Sequence, residues 1–114
     1  MEISFEGIGQ VAATFAAADG IQPGMAVALS GDSTVGMGKT GDALCGVVQS
    51  VKNGMAAVQM YGMAKIGYSG TAPVVGMNAV AVDGAGKIKT VTDGGMNCMI
   101  LSVNTGDSTA VIKL

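Results

Sequence analysis

The chain has 114 residues and a net charge of −2, and 49% of its residues are hydrophobic while only 12% are charged. That length suits one domain. Soluble domains usually carry roughly 25% charged residues, so this chain has few charges with which to cover its surface. We expect that part of the surface is covered by copies of the chain or by a larger assembly, with small residues as the alternative covering. All positive charges are lysines and histidine is absent, which excludes the arginine-containing basic patch of a nucleic-acid-binding protein and the imidazole base of most hydrolases.

Residues 1–10 are predicted to form an extended N-terminal arm. Glu2 and Glu6 flank Ile3 and Phe5, and Ile8 lies between two glycines. Chain ends of this composition are often ordered only by a partner. The start lacks the basic and apolar regions of a secretory signal, and no run of about 18 apolar residues occurs anywhere, so we expect no membrane partner.

Residues 11–114 are predicted to form a single β domain in which glycine-rich turns separate short strands. The segment from Val11 to Ala18 alternates weakly as a strand does, but an alanine-rich stretch also suits a helix, so both alternatives remain open. Met25–Ser30 alternates more clearly. A polar glycine-rich loop follows at 31–42, with a short strand predicted at Thr34–Met37.

Two hairpins are predicted next. Apolar runs at Leu44–Val51 and Met55–Tyr61 flank Asn53-Gly54, a pair that tolerates the positive φ angles of a type I′ turn. A second hairpin is predicted over 79–91, with its turn at Asp83-Gly84 and the two residues after it.

Three further strands are predicted at Met63–Tyr68, Cys98–Val103 and Thr109–Leu114. The second of these is a continuous apolar run, which we expect to be buried on both faces or to face a partner. About eight short strands, each ended by turn residues, predict an all-β fold, either a small β-barrel or a β-sandwich.

Two expectations concern the cysteines and the methionines. Cys45 and Cys98 lie inside apolar runs, so buried free thiols are expected, although sequence alone leaves a disulfide open. This usage suits a protein folded in a reducing cytoplasm. Of the nine methionines, most are expected to fill the core and one or two to lie at a subunit interface.

No catalytic, cofactor or metal site is predicted. Gly36 to Gly41 matches G-x-G-x-x-G, but a strand-like segment follows where dinucleotide binding requires a helix. Gly67 to Thr71 nearly matches the nucleophile elbow G-x-S-x-G, but no histidine exists to activate the serine. Two distant cysteines do not supply a zinc site. We therefore expect that the protein is not an enzyme.

Residues 41–91 resemble a known family. The runs GDALCGVVQSVKNGMAAVQMYG, YSGTAP and VGMNAVAVDGAGKIK, in this order, are similar to small phage head-decoration proteins, which are also called capsid cement proteins. The similarity extends more loosely into the C-terminal strands.

This resemblance implies a structural virion protein that binds the outer surface of a phage capsid and stabilises the expanded head at threefold or quasi-threefold axes. The implied partners are the major capsid protein and copies of the chain itself, as a trimer. The implied location is the phage head surface, after synthesis in the host bacterial cytoplasm. In such proteins the N-terminal arm commonly contacts the capsid, which here implies Ile3, Phe5 and Ile8 as apolar anchors.

Two other functions remain open. A phage tail, baseplate or injection-machine β component would share the assembly features and differ in its partner. A small ligand- or carbohydrate-binding β module would need aromatic platforms, for which the chain offers Phe5, Phe15, Tyr61 and Tyr68.

Overall fold

The computed structural model describes residues 11–92 and 94–114, and these residues form ten β-strands and no helix. The strands divide between a closed five-stranded barrel and a second, five-stranded sheet. The all-β prediction is confirmed, with ten strands where about eight were expected. The arm predicted at residues 1–10 lies outside the described residues.

The barrel has the spatial order β1-β3-β2-β4-β5. Its strands are β1 (Val11–Ala17), β2 (Ala26–Gly31), β3 (Thr34–Gly36), β4 (Gly46–Lys52) and β5 (Met55–Tyr61). Neighbours are antiparallel except β1 and β3, which are parallel, and β5 closes the barrel against β1. The alanine-rich segment is therefore a strand, because neighbours on both sides supply its backbone hydrogen bonds.

The second sheet is antiparallel and has the order β6-β10-β9-β7-β8. Its strands are β6 (Met63–Gly67), β7 (Gly76–Val82), β8 (Ile88–Thr90), β9 (Met96–Asn104) and β10 (Thr109–Lys113). Of the two alternatives predicted for Cys98–Val103, burial on both faces is wrong, and a face turned towards a partner stays a prediction. Cys98 and Ile100 are buried while Met99 between them is exposed, so β9 packs on one face only.

One apolar core joins the barrel to the sheet. Ala26, Ala28 and Val47 on the outside of the barrel wall share a cluster with the inner face of the sheet, which contributes Ala64, Ile66, Val80, Val82, Ile88, Cys98, Ile100, Ala110 and Ile112. The alternate residues of the same wall, Val27 and Val48, fill the barrel interior. The first half of β2 is consequently buried on both faces.

Both predicted hairpins are confirmed. Asn53 and Gly54 have φ angles of 54° and 74°, which are the two positive values that a type I′ turn needs, and Lys52 lies opposite Met55 across the turn. In the second hairpin, Val82 of β7 lies opposite Ile88 of β8.

The Asp83 side chain organises the turn of the second hairpin. Its Oδ1 atom accepts hydrogen bonds from the backbone N–H groups of Ala85 at 2.7 Å and Lys87 at 3.0 Å. Burial acts to raise the pKa of this carboxyl, but the two backbone bonds, a bond from the Ser69 side chain and the charge of Lys87 together hold the pKa below its usual value.

We expect Asp83→Ala to lower the free energy of unfolding by about 1–2 kcal/mol at neutral pH, because two backbone donors lose a charged acceptor. Since the folded pKa lies below the unfolded value of about 3.9, the contribution is fully present above that unfolded value and is lost as the pH falls through the folded pKa. Urea unfolding of both proteins at neutral pH and near pH 3 measures the difference, which should shrink in acid.

Asp32→Ala is the matched control, since it removes a carboxylate from another exposed turn, where only the backbone oxygen of Asp32 accepts a hydrogen bond. It should change the free energy of unfolding by less than about 0.5 kcal/mol. A cost of Asp83→Ala that stays constant with pH would contradict the role assigned to the ionised carboxylate.

Candidate functional site

The apolar anchors predicted in the arm, Ile3, Phe5 and Ile8, lie outside the described residues. The described chain begins at Val11, which is exposed and pairs with the exposed Tyr61 at the end of β5. The first described residue of the domain therefore lies beside Tyr61.

A row of side chains crosses the outer face of the second sheet. Met63 of β6 lies opposite Lys113 of β10, Lys113 opposite Met99 of β9, and Met99 opposite Met77 of β7. Directly opposed residues of neighbouring strands lie on the same face of a sheet. Together with Tyr61, these four residues are called the methionine strip.

The strip faces away from the barrel. Ile112 and Ile100 are the chain neighbours of Lys113 and Met99, and both are fully buried in the core shared with the barrel. Because successive side chains of a strand point to opposite faces, Lys113 and Met99 point outward. Tyr61 adjoins this row, since the Nζ atom of Lys113 lies 5.6 Å from the centroid of the Tyr61 ring.

Four side chains of the strip, Tyr61, Met77, Met99 and Lys113, are exposed, and Met63 is partly buried. Met77 is 62% exposed, Tyr61 52% and Met99 38%. Methionine is flexible and polarizable, which suits surfaces that adapt to a partner, and tyrosine is enriched at protein interfaces. Grouped exposed apolar side chains of this kind mark interaction sites.

A buried glutamine fixes the end of the strip next to the barrel. Gln59 is 4% exposed, and its Nε2 atom donates hydrogen bonds to the backbone oxygens of Tyr61 at 3.2 Å and Met63 at 2.9 Å. The backbone N–H of Leu114 donates to the oxygen of Gly62 between them. These bonds tie the last barrel strand to the first strand of the sheet, so Tyr61 and Met63 are held in place before any partner binds.

An asparagine fixes the other end. The Nδ2 atom of Asn78 donates hydrogen bonds to the backbone oxygens of Val74 at 2.6 Å and Gly76 at 3.1 Å. The side chains of Val74 and Val75 are highly exposed in this loop, and Gly76 separates them from Met77. The loop thus adds two exposed aliphatic side chains beside the strip on a hydrogen-bonded backbone.

The outer face of the second sheet carries positive charge. Its five strands contain Lys65, Lys89 and Lys113 and no carboxylate. Lys65 is exposed and lies two positions from Met63 on β6, so it shares the face of the strip. Within the described chain, Lys113 contacts the Tyr61 ring and has no carboxylate partner.

The two glycine motifs sit in loops. Gly36 ends β3, and the segment after it runs to β4 without forming a helix, so the arrangement that places a pyrophosphate at a helix N-terminus is not formed. Ser69 of the near-match to the nucleophile elbow is hydrogen-bonded to Asp83. Across residues 11–92 and 94–114, no group of three His, Cys, Asp or Glu side chains could hold a metal ion.

Cys45 and Cys98 are both free thiols, and Cys98 is buried as expected, whereas Cys45 is only partly buried. They belong to different clusters, since Cys45 packs against the barrel interior and Cys98 lies in the core shared with the sheet. Burial raises the pKa of each thiol, which keeps both protonated near neutral pH and makes them weak nucleophiles.

The assignment of most methionines to the core is corrected by the structure. Of the eight methionines from Met25 to Met99, only Met25, Met37 and Met96 pack, partly buried, against the core clusters, while Met55, Met60, Met77 and Met99 are exposed. The strip was missed because its five members come from five separate strands. The alternation that exposes Met99 is also invisible inside a continuous apolar run, where neighbours on both faces are hydrophobic.

Comparisons with known proteins do not identify the chain. No protein-family model matches it, and no curated protein matches its sequence. No helix in the described segments is long and apolar enough to cross a membrane. The function is therefore inferred from the surface and sequence of this chain.

Proposed function

We propose that the protein is a structural virion protein that binds the outer surface of a phage capsid and stabilises the expanded head. Its partners are the major capsid protein and copies of itself, arranged at threefold or quasi-threefold axes. The observation that carries the proposal is the exposed methionine strip on a chain with only 12% charged residues. The phrases in residues 41–91 that resemble decoration proteins favour a capsid over other assemblies.

The surface chemistry supports an assembly role. Interfaces are enriched in tyrosine and methionine and depleted in charged residues at their centre, and the strip has that composition apart from Lys113. Gln59 and Asn78 hold its two ends by hydrogen bonds to backbone oxygens. A surface that is already ordered loses less conformational entropy on binding, so more of the contact energy appears as affinity.

The N-terminal arm is proposed to anchor the protein on the capsid through Ile3, Phe5 and Ile8. Burying one such side chain contributes about 1.5–3 kcal/mol, while ordering each arm residue costs about 1–2 kcal/mol. The three anchors together contribute about 4.5–9 kcal/mol against an ordering cost of about 10–20 kcal/mol for ten residues, so they offset only part of it. Contacts from the folded domain supply the remainder.

Stabilisation of the head follows from mass action. A protein that binds the expanded shell and not its precursor stabilises the expanded state by about 2.7 kcal/mol per site when its free concentration is 100 times the Kd. Occupied sites add up over a shell. A small domain with modest affinity per site can therefore stabilise a large capsid.

Co-sedimentation with purified expanded heads that lack the protein tests this function. We expect saturable binding at a fixed number of copies per capsid subunit, and occupied heads that withstand a higher temperature in calorimetry. The triple variant Ile3→Ala, Phe5→Ala, Ile8→Ala should bind at least about 100-fold more weakly, because about 3 kcal/mol or more of apolar burial is lost.

Ser4→Ala is the matched control in the same arm, and it should bind as the unmodified chain does. Thermal unfolding of the triple variant should match that of the unmodified protein if the arm serves attachment alone. Absence of binding to expanded heads would overturn the proposal. Binding to isolated tails or baseplates instead would favour a tail component.

A further inference from the structure

The end of the barrel farthest from the strip carries two exposed aspartates, the exposed Lys52 beside the β4–β5 turn, and an exposed leucine. Asp32 lies in the β2–β3 turn and Asp19 in the turn after β1, and both are exposed. The backbone N–H of Ala18 donates to the oxygen of Val35 at 2.9 Å, and Leu29 lies opposite Val35, so the two turns meet at the same end of the barrel. Leu29 is 59% exposed there. Leu29, Asp19 and Asp32 are called the acidic end.

The acidic end and the methionine strip are separated within one copy. On β1, Val11 pairs with Tyr61 of the strip, whereas Ala16 pairs with Thr34 beside the β2–β3 turn. Five residues of extended strand span about 17 Å. One copy therefore cannot bring its own strip onto its own acidic end.

The two surfaces are complementary in charge. The acidic end carries Asp19 and Asp32 against one lysine, Lys52, a net charge of 1 − 2 = −1, whereas the strip face carries two lysines, a net charge of +2. Lys65 and Lys113 lie on the strip face, and no carboxylate occurs in the strands of that sheet. Each surface also offers exposed apolar side chains to the other.

We propose that copies of this chain associate head to tail, with the methionine strip of one copy on the acidic end of the next. Met77 and Met99 cover Leu29, while Lys113 and Lys65 pair with Asp32 and Asp19 of the neighbour. Because two different surfaces meet, the contact is heterologous, and such contacts close into rings when the rotation between copies fits. This contact rests on the self-association in the proposed function and specifies which two surfaces meet. It can be measured both for the free protein in solution and for the protein bound to phage heads.

Carbodiimide cross-linking tests the contact, because this reagent joins an amine to a carboxylate only when the two touch. An equal mixture of ¹⁵N-labelled and unlabelled chains is treated at the highest soluble concentration and, if heads bind the chain, also on heads. We expect isotopically mixed peptides that join Lys113 or Lys65 to Asp32 or Asp19. The absence of such mixed peptides under every condition, or their formation only between other pairs, would overturn the inference.

Charge reversal gives an independent measurement. Lys113→Glu and Asp32→Lys should each lower, at least threefold, the yield of mixed cross-links between the remaining partners, Lys65 and Asp19. The variant that carries both substitutions should restore this yield, because the two opposite charges are then exchanged across the contact. Met77→Glu should reduce the yield more than tenfold. Thr105→Glu, which adds the same charge in the exposed β9–β10 turn, is the control and should leave it unchanged. Failure of the double variant to recover would count against the pairing.

The two proposals fail separately. Mixed cross-links in solution without binding to heads would leave the contact standing and overturn the capsid function. Binding to heads without mixed cross-links would support the capsid function and overturn the contact between copies. If Met77→Glu then also lost binding to heads, the methionine strip would be the surface that contacts the capsid protein.

Discussion

Gly46→Ala is expected to lower the free energy of unfolding by about 3 kcal/mol, enough to remove a large part of the stability of a domain of this size. A Cβ atom on Gly46 would overlap the backbone oxygen of Gln59 and lie 2.8 Å from Cγ1 of Val58. The Gln59 backbone belongs to β5, which is paired with both β4 and β1, so it cannot move aside without disturbing the barrel. Urea unfolding followed by circular dichroism measures the change.

Gly31→Ala is the matched control in the same barrel. A Cβ atom there would lie 3.9 Å from the Cβ of Thr34, which is an ordinary contact. It should change the free energy of unfolding by less than about 1 kcal/mol. Equal losses for the two variants would show that the close approach of β4 and β5 is not what requires glycine at position 46.

Ile112→Ala is expected to cost about 3–4 kcal/mol, because it leaves a cavity in the core that the sheet shares with the barrel. Ile112 is fully buried and lies on β10 opposite Ala64 on one side and Ile100 on the other. Few neighbours can close around the cavity, since the surrounding side chains belong to paired strands. Unfolding in urea gives the cost directly.

Two variants keep this prediction measurable. Ile112→Val removes one methyl group and should cost about 1 kcal/mol, which allows measurement even if the alanine variant does not fold. Val111→Ala, next to it on the partly exposed outer face, should cost less than about 1 kcal/mol. A similar cost at positions 111 and 112 would contradict the assignment of the two faces of β10.

Local turn chemistry explains why the hairpins were predictable. Asn53-Gly54 favours positive φ at both positions, and the structure has both. The second hairpin carries its own signal, since the Asp83 carboxylate bonds backbone groups two and four residues further on. Each signal acts within a few residues, so it is present in the sequence whatever the rest of the chain does.

Closure of the barrel could not be predicted in the same way. It depends on β1 pairing with β5 along almost its whole length and with β3 in parallel, and no turn connects these strands directly. The alanines of β1 suit a helix as well as a strand, and the choice is made by the partners on either side. Glycine at position 46 likewise has a packing reason that appears only when β4 and β5 are paired.

The two candidate surfaces show the same difference between what is encoded locally and what depends on strand pairing. The sequence predicts an apolar arm with Ile3, Phe5 and Ile8, and that prediction remains untested because the arm lies outside the described residues. The methionine strip was not predicted, since Met63, Met77, Met99 and Lys113 come from four strands and meet only through the registers of the sheet.

Composition, alternation and turn residues, all properties of the sequence itself, determined the all-β class, the two hairpins and the low surface charge of this protein. Barrel closure, the faces of β9 and the placement of methionines on the surface were decided only by the tertiary structure. The physical reason is range: a turn depends on the φ preferences of adjacent residues, whereas a face or a surface depends on which distant strands pair and in which register.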